Sequence, residues 1–350
     1  MKIAIHQDHG SFSDRWIAYC EEENIPYKIV NCYENDIVSQ LSDCDGLMWH
    51  WSLNDYKALL FARQLSLSLE KKGLNIFPDV NSSWHYNDKL GQKYLLEAID
   101  APLVKSYVFY TKAEAYKWIG TTIFPKVFKL RGGSASINVS LVMTKLKARR
   151  LVKKSFGKGF SHINKINRLK NRIWEFKNKP TLPHFVKILG GVARIFVPNE
   201  VERFSHNEKG YIYFQDFIPN NKYDTRLVVV GDRCFGVRRF CRKGDFRASG
   251  SGVYDATPSL IDKKCIQIAF DVSKSLGSQS IAFDFVQEDG NPKIIEISYC
   301  FPLGAPDNCA GYWDNDLVWH EEIINAEVFM IQDFISKCRI SEIEKIQKIA

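Results

Sequence analysis

The strongest constraint in this sequence is a predicted hairpin at residues 282–298, in which two apolar runs flank the turn-forming residues 288–292. Asp284 and Glu296 each lie six residues from Gly290, so a symmetric antiparallel hairpin places them opposite each other, with Ser298 further along the same face. The side chains expected on the other face are Phe283, Phe285, Ile295 and Ile297. Two opposed carboxylates repel unless a cation bridges them, so the hairpin predicts a divalent-cation site. A solvated pair of carboxylates is the alternative.

Several arginines lie close in sequence to this hairpin. Asp224 and Arg226 share one face of a predicted strand, and Arg239 and Arg247 follow within the next stretch of chain. Fixed guanidinium groups neutralise phosphoryl oxygens in phosphoryl-transfer sites. The pattern therefore favours a site that handles phosphate, and a surface network of ion pairs is the alternative.

A glycine loop follows a predicted strand at residues 126–130. The strand carries Lys129 and leads into Gly132, Gly133 and Ser134. Backbone N–H groups in such loops can bind phosphate oxygens. Because Gly-Gly turns are common, this motif supports a phosphate site only together with the others.

The first 85 residues alternate between predicted strands and helices, which indicates a small parallel sheet. Ligands of open α/β sheets bind outside the carboxyl ends of the strands. The polar and aromatic residues of those loops are His6, Asp8, His9, Trp49, His50 and Trp51. We expect this edge to contact substrate; the alternative is that the aromatic residues fill the core and the histidines lie on the surface. Further along, helices are expected near residues 87–98, 113–119, 146–156, 163–176 and 263–276, a strand at 194–197, and a C-terminal helix from about Leu317.

Positive charge is concentrated between residues 145 and 187, where fourteen lysines and arginines are opposed only by Glu175. The whole chain carries a formal charge of +8, so the remainder is mildly acidic. Such a segment is either a solvated helical face or a docking surface for an anionic partner, either the inner leaflet of a membrane or a diphosphate-linked substrate. A nucleic-acid partner is disfavoured because no nucleic-acid-binding motif accompanies the charge.

The bulk composition is that of a globular protein, with 45% hydrophobic and 25% charged residues among 350. No apolar run is long enough to span a bilayer, and the polar residues after Ile5 interrupt any signal-peptide pattern, so we expect a cytoplasmic protein that could associate peripherally with the membrane. Nine cysteines with scattered spacing predict reduced thiols and no structural zinc site.

Taken in order, these motifs resemble the ATP-grasp superfamily, and especially glutathione synthetase and the ribosomal-protein glutamate ligases. The resemblance covers roughly residues 87–302. It implies an α/β chain with an ATP-grasp fold: a Rossmann-like pre-ATP-grasp domain (1–85), an ATP-grasp domain (86–315) and a C-terminal helical segment (316–350). Within the ATP-grasp domain it implies a lid subdomain (about 105–214) that contains the basic helical insertion (about 145–187).

The resemblance also assigns roles to individual residues. Lys89 and Lys129 are expected to hold the α and β phosphates of ATP, with the glycine loop of Gly132, Gly133 and Ser134 beside them. The adenine-binding segment corresponds to Gln215, Asp216, Phe217 and Ile218, and Asp224 lies toward the ribose. The arginines expected around the transferred phosphate are Arg226, Arg239 and Arg247. The expected ligands of Mg²⁺, or alternatively Mn²⁺, are Asp284, Glu296 and Ser298.

The implied activity is that of an ATP-dependent carboxylate–amine ligase, which forms an amide or peptide bond through an acyl phosphate. Ser298 departs from the family, which usually has asparagine at this position, and the basic insertion replaces a short connection. The N-terminal pattern, Ser298 and residues 311–314 also resemble ATP-grasp proteins encoded with bacterial surface-polysaccharide enzymes, which would imply amide formation on a sugar carboxylate or with an amino acid. Two rival functions stay open, namely a phosphotransferase acting on a hydroxyl and a non-catalytic nucleotide-binding scaffold. The oligomeric state, including a homo-oligomer, also stays open.

Overall fold

The computed structural model describes residues 1–53, 55–133, 138–161, 206–242, 244–248 and 251–349, together with 172–173, 176, 180–183, 186, 188–190 and 203–204. The helix expected at residues 163–176 and the strand expected at 194–197 fall largely or wholly outside the described residues. Within the described part of the chain, the strands form three sheets.

The N-terminal sheet is parallel, with the order β2-β1-β3-β4, as the alternation of strands and helices predicts. Its elements are β1 (Ile3–His6), α1 (Phe12–Glu22), β2 (Tyr27–Val30), α2 (Ile37–Gln40), β3 (Gly46–Met48), α3 (Tyr56–Lys71), β4 (Asn75–Phe77) and α4 (Val80–Ser83). After β1 the chain forms β2 on one side of β1, and it then crosses over to form β3 on the other side of β1. Its topological switch point therefore lies between β1 and β3.

The second sheet, called the lid sheet here, is antiparallel with the order β5-β8-β6-β7. Helix α5 (Lys89–Ala98), capped by Asp88, precedes it. The other elements of this region are β5 (Ser106–Phe109), α6 (Lys112–Thr121), β6 (Lys126–Lys129), β7 (Ser140–Val142), α7 (Lys145–Ser155) and β8 (Ile212–Asp216). Phe128 and Leu130 pack with α6 and α7 in a core of the lid's own, whereas Val127 and Lys129 face the opposite side.

The central sheet is antiparallel and has the order β13-β12-β9-β10-β14-β15, with β11 paired to β10. It contains β9 (Tyr223–Val230), β10 (Arg233–Phe240), β11 (Tyr254–Asp255), β12 (Ser280–Glu288), β13 (Asn291–Ser298), β14 (Gly311–Trp313) and β15 (Trp319–Glu321), with helix α8 (Lys263–Leu276) packed on it. Its inner face shares one hydrophobic core with the N-terminal sheet and with helix α9 (Ala326–Ile349).

The prediction of a helix from about Leu317 is wrong over its first residues. Leu317 has a φ of 60°, which a helix does not tolerate, and β15 pairs with β14 before α9 begins at Ala326. Gly311 makes this pairing possible, because a Cβ at that position would lie 2.0 Å from the carbonyl oxygen of His320. All nine cysteines are free thiols, as predicted. None of the described helices is both long and apolar enough to cross a membrane.

Candidate functional site

A cavity of about 580 Å³, called the main cavity here, lies between the lid sheet, the β12–β13 hairpin and the loops of the N-terminal sheet. Its volume is within the range of roughly 300–1,000 Å³ that is usual for ligand pockets. The predicted site residues that line it are Lys89, Lys129, Gly133, Gln215, Asp216, Phe217, Ile218, Asp224, Arg226, Arg247, Asp284, Glu296 and Ser298. Residues far apart in sequence therefore meet at one cavity.

The hairpin brings its two carboxylates together through an irregularity. A two-residue turn at Asp289 and Gly290, both with positive φ, sets a register that would not by itself pair Asp284 with Glu296. A β-bulge adds Ile295 as an extra residue on β13, and beyond it Asp284 does face Glu296. The predicted pairing is confirmed, but the prediction that Ile295 points to the core is wrong, because Ile294 is buried there and Ile295 lines the main cavity.

Two guanidinium groups contact the first carboxylate of the hairpin. Arg226 lies opposite Asp284 across β9 and β12 and donates two hydrogen bonds to it, at 2.7 and 2.8 Å. Arg239 approaches the same carboxylate at 2.9 Å. Burial raises the pKa of Asp284, but the two guanidinium groups outweigh burial and hold this pKa below its usual range. Asp284 is therefore ionised and fixed in place.

Asp224 stands behind this pair. Arg239 donates hydrogen bonds to both of its oxygens, at 2.7 and 2.6 Å, so one guanidinium bridges two buried carboxylates. Burial, followed by the negative charge of Asp284, raises the pKa of Asp224. Asp224 lines the main cavity, whereas Arg239 is not among its lining residues. In this structure Arg239 holds the two carboxylates in position, and its predicted place at the transferred phosphate stays a prediction.

Lys89, the first residue of α5, contacts the second carboxylate of the hairpin. Its side chain is 6% exposed, and its Nζ lies 2.8 Å from Glu296 Oε1 and donates a hydrogen bond of 2.7 Å to the carbonyl oxygen of Gly133. The N–H of Gly133 itself donates to Asn87 Oδ1 at 2.6 Å. This N–H is therefore engaged within the chain, and phosphate binding by the glycine loop stays a prediction. Ser134 lies outside the described residues, and Gly132 is buried without lining the cavity.

Lys129 reaches the cavity from β6. Its side chain is 7% exposed, and Nζ donates to the carbonyl oxygen of Ile295, the residue added by the bulge, at 3.2 Å. The pKa of Lys129 is lowered to about 8, chiefly by burial; the charges of Glu296 and Asp284 raise this pKa and that of Lys89 lowers it. Nearby carboxylates only partly offset the cost of burying the positive charge of Lys129. A phosphate group beside its ammonium would therefore be bound favourably.

The predicted adenine-binding segment follows from the end of β8. Gln215 donates to Ser106 Oγ at 3.1 Å and is 2% exposed, and Asp216 forms an ion pair with Lys126. Phe217 and Ile218 then line the cavity. The contacts of Gln215 and Asp216 hold the end of β8 in place. Phe217 and Ile218 provide an apolar surface next to it, on which a flat aromatic ligand could bind.

Arg247 and Ser298 line the cavity, but other groups of the chain already contact them. Arg247 forms a two-point ion pair with Asp245, with Nη2 at 2.6 Å from Oδ2. Ser298 Oγ donates to the carbonyl oxygen of Cys300 at 2.8 Å. Magnesium ligation by Ser298 would require this local hydrogen bond to be exchanged, so Ser298 is the least suited of the three predicted ligands.

The residues present can hold magnesium only together with a ligand. The described residues contain no group of three or more His, Cys, Asp or Glu side chains that could bind a metal on their own. Asp284 and Glu296 face each other across the hairpin, and a metal would exchange some of their contacts with Arg226, Arg239 and Lys89. Mg²⁺ commonly completes its shell with water and nucleotide phosphates. The donor set therefore fits a metal bound as a nucleotide complex.

Three residues that support the site were not predicted from the sequence. Asn87, with a φ of 58°, anchors Gly133; Gln92 contacts both backbone groups of Ile297; and Asn221 contacts both backbone groups of Gln287. The positive φ of Asn87 had a sequence signal, because asparagine is enriched in left-handed conformations before a helix cap. The other two contacts span 205 and 66 residues and have no local signal.

The substrate edge expected at the N-terminal sheet is divided between two cavities. Gly10, His50, Ser52 and Leu53 line the main cavity, which therefore reaches the N-terminal sheet. His6, Asp8, Trp49 and Trp51 line a second cavity of about 550 Å³, which shares His50 and Ser52 with the first. His9 is on the surface, with its side chain 86% exposed. Burial lowers the pKa of His50 to about 4, so its ring is neutral at pH 7.

Comparison with known proteins gives a consistent picture. Residues 191–303 match the family model of the RimK-like ATP-grasp domain. None of the curated proteins matches the chain in sequence. Among solved structures, a RimK domain ATP-grasp protein from Sphaerobacter thermophilus has 14% identity and a TM-score of 0.51, over 85% of this chain and 90% of that one.

Two further solved structures are similar over nearly the whole chain. The D-alanine–D-alanine ligase from Bacillus anthracis, in complex with ATP, has 12% identity and a TM-score of 0.56, over 98% of this chain and 99% of that one. The biotin carboxylase domain of the 2-oxoglutarate carboxylase from Hydrogenobacter thermophilus, in complex with MgADP, has 12% identity and a TM-score of 0.58, over 95% and 69%. The resemblance to the ATP-grasp superfamily is therefore confirmed, and the chain has the ATP-grasp fold.

Proposed function

We propose that this protein is an ATP-dependent ligase that joins a carboxylate to an amine. The observation that carries the proposal is the main cavity, where two buried lysines face a hairpin with two carboxylates and an apolar strand end lies beside them. This cavity also reaches the loops of the N-terminal sheet, which leaves room for a second ligand next to a nucleotide. Similar solved structures are described as complexes with ATP or with MgADP, which supports the choice of nucleotide.

In the proposed reaction, a substrate carboxylate oxygen attacks the γ-phosphorus of ATP, and the bond from that phosphorus to the β-bridging oxygen breaks, which releases ADP. The amine nitrogen then attacks the acyl carbon, inorganic phosphate leaves with the C–O bonding electrons, and the nitrogen loses a proton to form the amide. Lys89 and Lys129 would bind phosphate oxygens, and Arg226 and Arg247 would neutralise charge that develops at the cavity wall. Magnesium, held by Asp284 and Glu296, would supply further charge neutralisation.

Replacement of Glu296 tests this assignment. Glu296→Gln removes a charged oxygen ligand and the partner of Lys89, so we expect amide formation and ADP release to fall by about 100-fold. Glu288→Gln, an exposed carboxylate on the same hairpin, is the matched control and should keep wild-type rates. Equal turnover by the Glu296 variant and the wild type would contradict the proposal.

Product analysis separates ligation from the two rival functions. A screen of carboxylate and amine pairs should give phosphate release that depends on both partners, with an amide mass in the products. A phosphotransferase would yield a phosphorylated hydroxyl compound and no amine-dependent phosphate. Nucleotide binding without any turnover would favour a scaffold.

The acid is proposed to be a sugar carboxylate or an amino acid of a bacterial surface polysaccharide, which rests only on the sequence resemblance given above. Uronic acids and amino acids should therefore be the first members of the carboxylate screen. An acid from another class as the sole substrate would overturn this part while leaving ligation intact.

We also propose that helix α7 docks on an anionic membrane surface. In eleven residues α7 carries six cations and no acid; the cations are Lys145, Lys147, Arg149, Arg150, Lys153 and Lys154. Ala148, Val152 and Ser155 pack inward, so all six cations are exposed on the outer side of the lid, away from the main cavity. Docking there would leave the cavity open.

Vesicle sedimentation tests the docking. Each basic residue near an anionic membrane contributes about 1 kcal/mol. Replacing Lys147, Lys153 and Lys154 with Gln should weaken binding to phosphatidylglycerol vesicles by on the order of 100-fold. The matched control replaces Lys263, Lys264 and Lys274, which are exposed on α8, with Gln. Equal binding by both triple variants, or tighter binding to RNA than to vesicles, would contradict membrane docking.

A further inference from the structure

The second cavity, which we call the acidic pocket, lies where the ordinary rules of α/β sheets place a ligand. It is lined chiefly by His6, Asp8, Asn31, Tyr33, Trp49 and Asp55. These residues follow the carboxyl ends of β1, β2 and β3, so the pocket opens at the topological switch point. Its volume of about 550 Å³ is sufficient for a small organic molecule.

The charge of the acidic pocket is one-sided. Asp8 and Asp55 are its carboxylates, and the described residues that line it include neither lysine nor arginine. His6 is 8% exposed, and its Nδ1 accepts the N–H of Cys32 at 3.0 Å, so the neutral ring carries its proton on Nε2. Burial lowers the pKa of His6, although Asp8 and Asp55 raise it. The two carboxylates outnumber the one ammonium group near the pocket wall, that of Lys57, so the pocket has a net negative charge near pH 7.

Aromatic rings also line this pocket. His6 lies edge-on to Tyr33 and to Trp49, with ring centroids 5.3 and 5.4 Å apart. The Tyr33 hydroxyl donates a hydrogen bond to Asp55, which fixes the ring and the carboxylate relative to each other. The Nζ of Lys57 lies 5.3 Å from the centroid of the Tyr33 ring, so an ammonium group of the chain already occupies a position of cation–π contact at this ring.

We infer that the acidic pocket binds the amine substrate in its protonated form; the nitrogen then gives one proton to a carboxylate of the pocket, Asp8 or Asp55, before its lone pair attacks the acyl carbon and a second proton leaves as the amide forms. Carboxylates together with aromatic faces attract an organic cation and repel phosphate or carboxylate groups. The pocket and the main cavity share His50 and Ser52, so an amine held in the first is adjacent to the second. The name "amine substrate" rests on the proposed function, whereas binding of an organic cation does not.

The first experiment measures binding without turnover. Butylammonium, 1-butanol and butyrate, which have the same chain length and differ in charge, are titrated into the full chain with labelled tryptophan indoles. We expect butylammonium to shift the Trp49 signal at millimolar concentration, and 1-butanol and butyrate not to. Trp118, which packs inside the lid against Tyr107 and Phe214, serves as the internal reference.

Variants then locate the charge. Asp8→Asn should weaken butylammonium binding at least tenfold, and Asp55→Asn should do the same while keeping the helix cap, because asparagine is also a good N-cap. Asp14→Asn, on the neighbouring helix, is the control. Equal shifts by butylammonium and 1-butanol, or unchanged affinity in Asp8→Asn, would overturn the inference. Butylammonium binding in a protein without ligase activity would refute the proposed function and leave the pocket's specificity standing.

Discussion

The main cavity and the acidic pocket adjoin each other but differ in the charges of the residues that line them. The described residues of the main cavity include four cationic and four anionic side chains, several of them joined in ion pairs. The acidic pocket has two carboxylates and no lysine or arginine among its described residues. Paired charges hold a site rigid and can be redistributed when a charged ligand enters, whereas unpaired charges of one sign select the sign of the ligand.

The same contrast explains how one chain could keep two substrates apart. A triphosphate is attracted to buried lysines, and an ammonium group is attracted to carboxylates beside aromatic rings. The acidic pocket repels a triphosphate, whereas the main cavity, with as many cationic as anionic side chains among its described residues, has no net charge that would attract an ammonium group. The most direct way to break this comparison is to remove the charge of one site and ask whether only its own ligand is affected.

The largest effect is expected from Lys129→Met. Loss of the buried ammonium should weaken nucleotide binding by on the order of 100-fold, measured by calorimetry. Between pH 8 and 10.5, the folded state binds fewer protons at Lys129 than the unfolded state, so the free energy of unfolding rises with pH in this range. Below pH 8 Lys129 is charged in both states, and burial of its charge lowers the free energy of unfolding by its full amount. The free energy of unfolding at pH 7 should therefore not fall in this variant. Lys263→Met, on the surface of α8, should change neither quantity.

The next effect concerns the ion pairs of the main cavity. Asp284→Asn leaves two guanidinium groups without their shared counter-charge, so urea denaturation should show a loss of roughly 2 kcal/mol, discounted because the Arg226 side chain is 26% exposed. Asp289→Asn is the matched control, since asparagine tolerates the positive φ of that turn. An equally stable Asp284 variant would mean that the arginines are paired elsewhere.

A smaller effect is expected from pH. Lys129 loses its proton as pH rises through about 8 in the free protein, so wild-type nucleotide affinity should fall by up to about tenfold per pH unit above that value. Binding to the acidic pocket should not change in this range as long as the ligand stays protonated. A flat nucleotide profile between pH 7 and 9.5 would place the pKa of Lys129 elsewhere.

The smallest effect is expected on turnover of the amine. In the ligase reaction, Asp8→Asn should raise the KM for the amine about tenfold and leave the KM for ATP unchanged. A parallel change in both values would indicate that the two cavities act as one site.

The sequence predicted the residues of the main cavity better than it predicted their contacts. The parallel N-terminal sheet and the position of helix α8 follow from periodicity alone. The pairing of Asp284 with Glu296 was predicted from symmetry about Gly290, but the structure reaches it by a two-residue turn plus the bulge at Ile295. Alternation along a strand carries no information about an inserted residue, so the direction of Ile295 could not be predicted.

Contacts between distant residues were also beyond prediction. The sequence placed Arg239 beside a phosphate, and only the packed sheet shows that it bridges Asp224 and Asp284. The acidic pocket requires Tyr33 and Asp55 to meet at a hydrogen bond across 22 residues, which no local pattern announces. The error at Leu317 has a simpler cause, since apolar residues in a short hairpin resemble the start of a helix.

The shared core of the N-terminal and central sheets has a mechanical consequence. Residues of β1, α1, β9 and α9 pack in one apolar cluster, whereas the lid sheet packs with α6 and α7 in a separate apolar cluster. A close-packed core resists shear, so the first group should move as a single block and any closure over a nucleotide should come from the lid. Paired spin labels on α1 and α9 should keep their separation when nucleotide binds, while labels on α6 and α9 should approach each other.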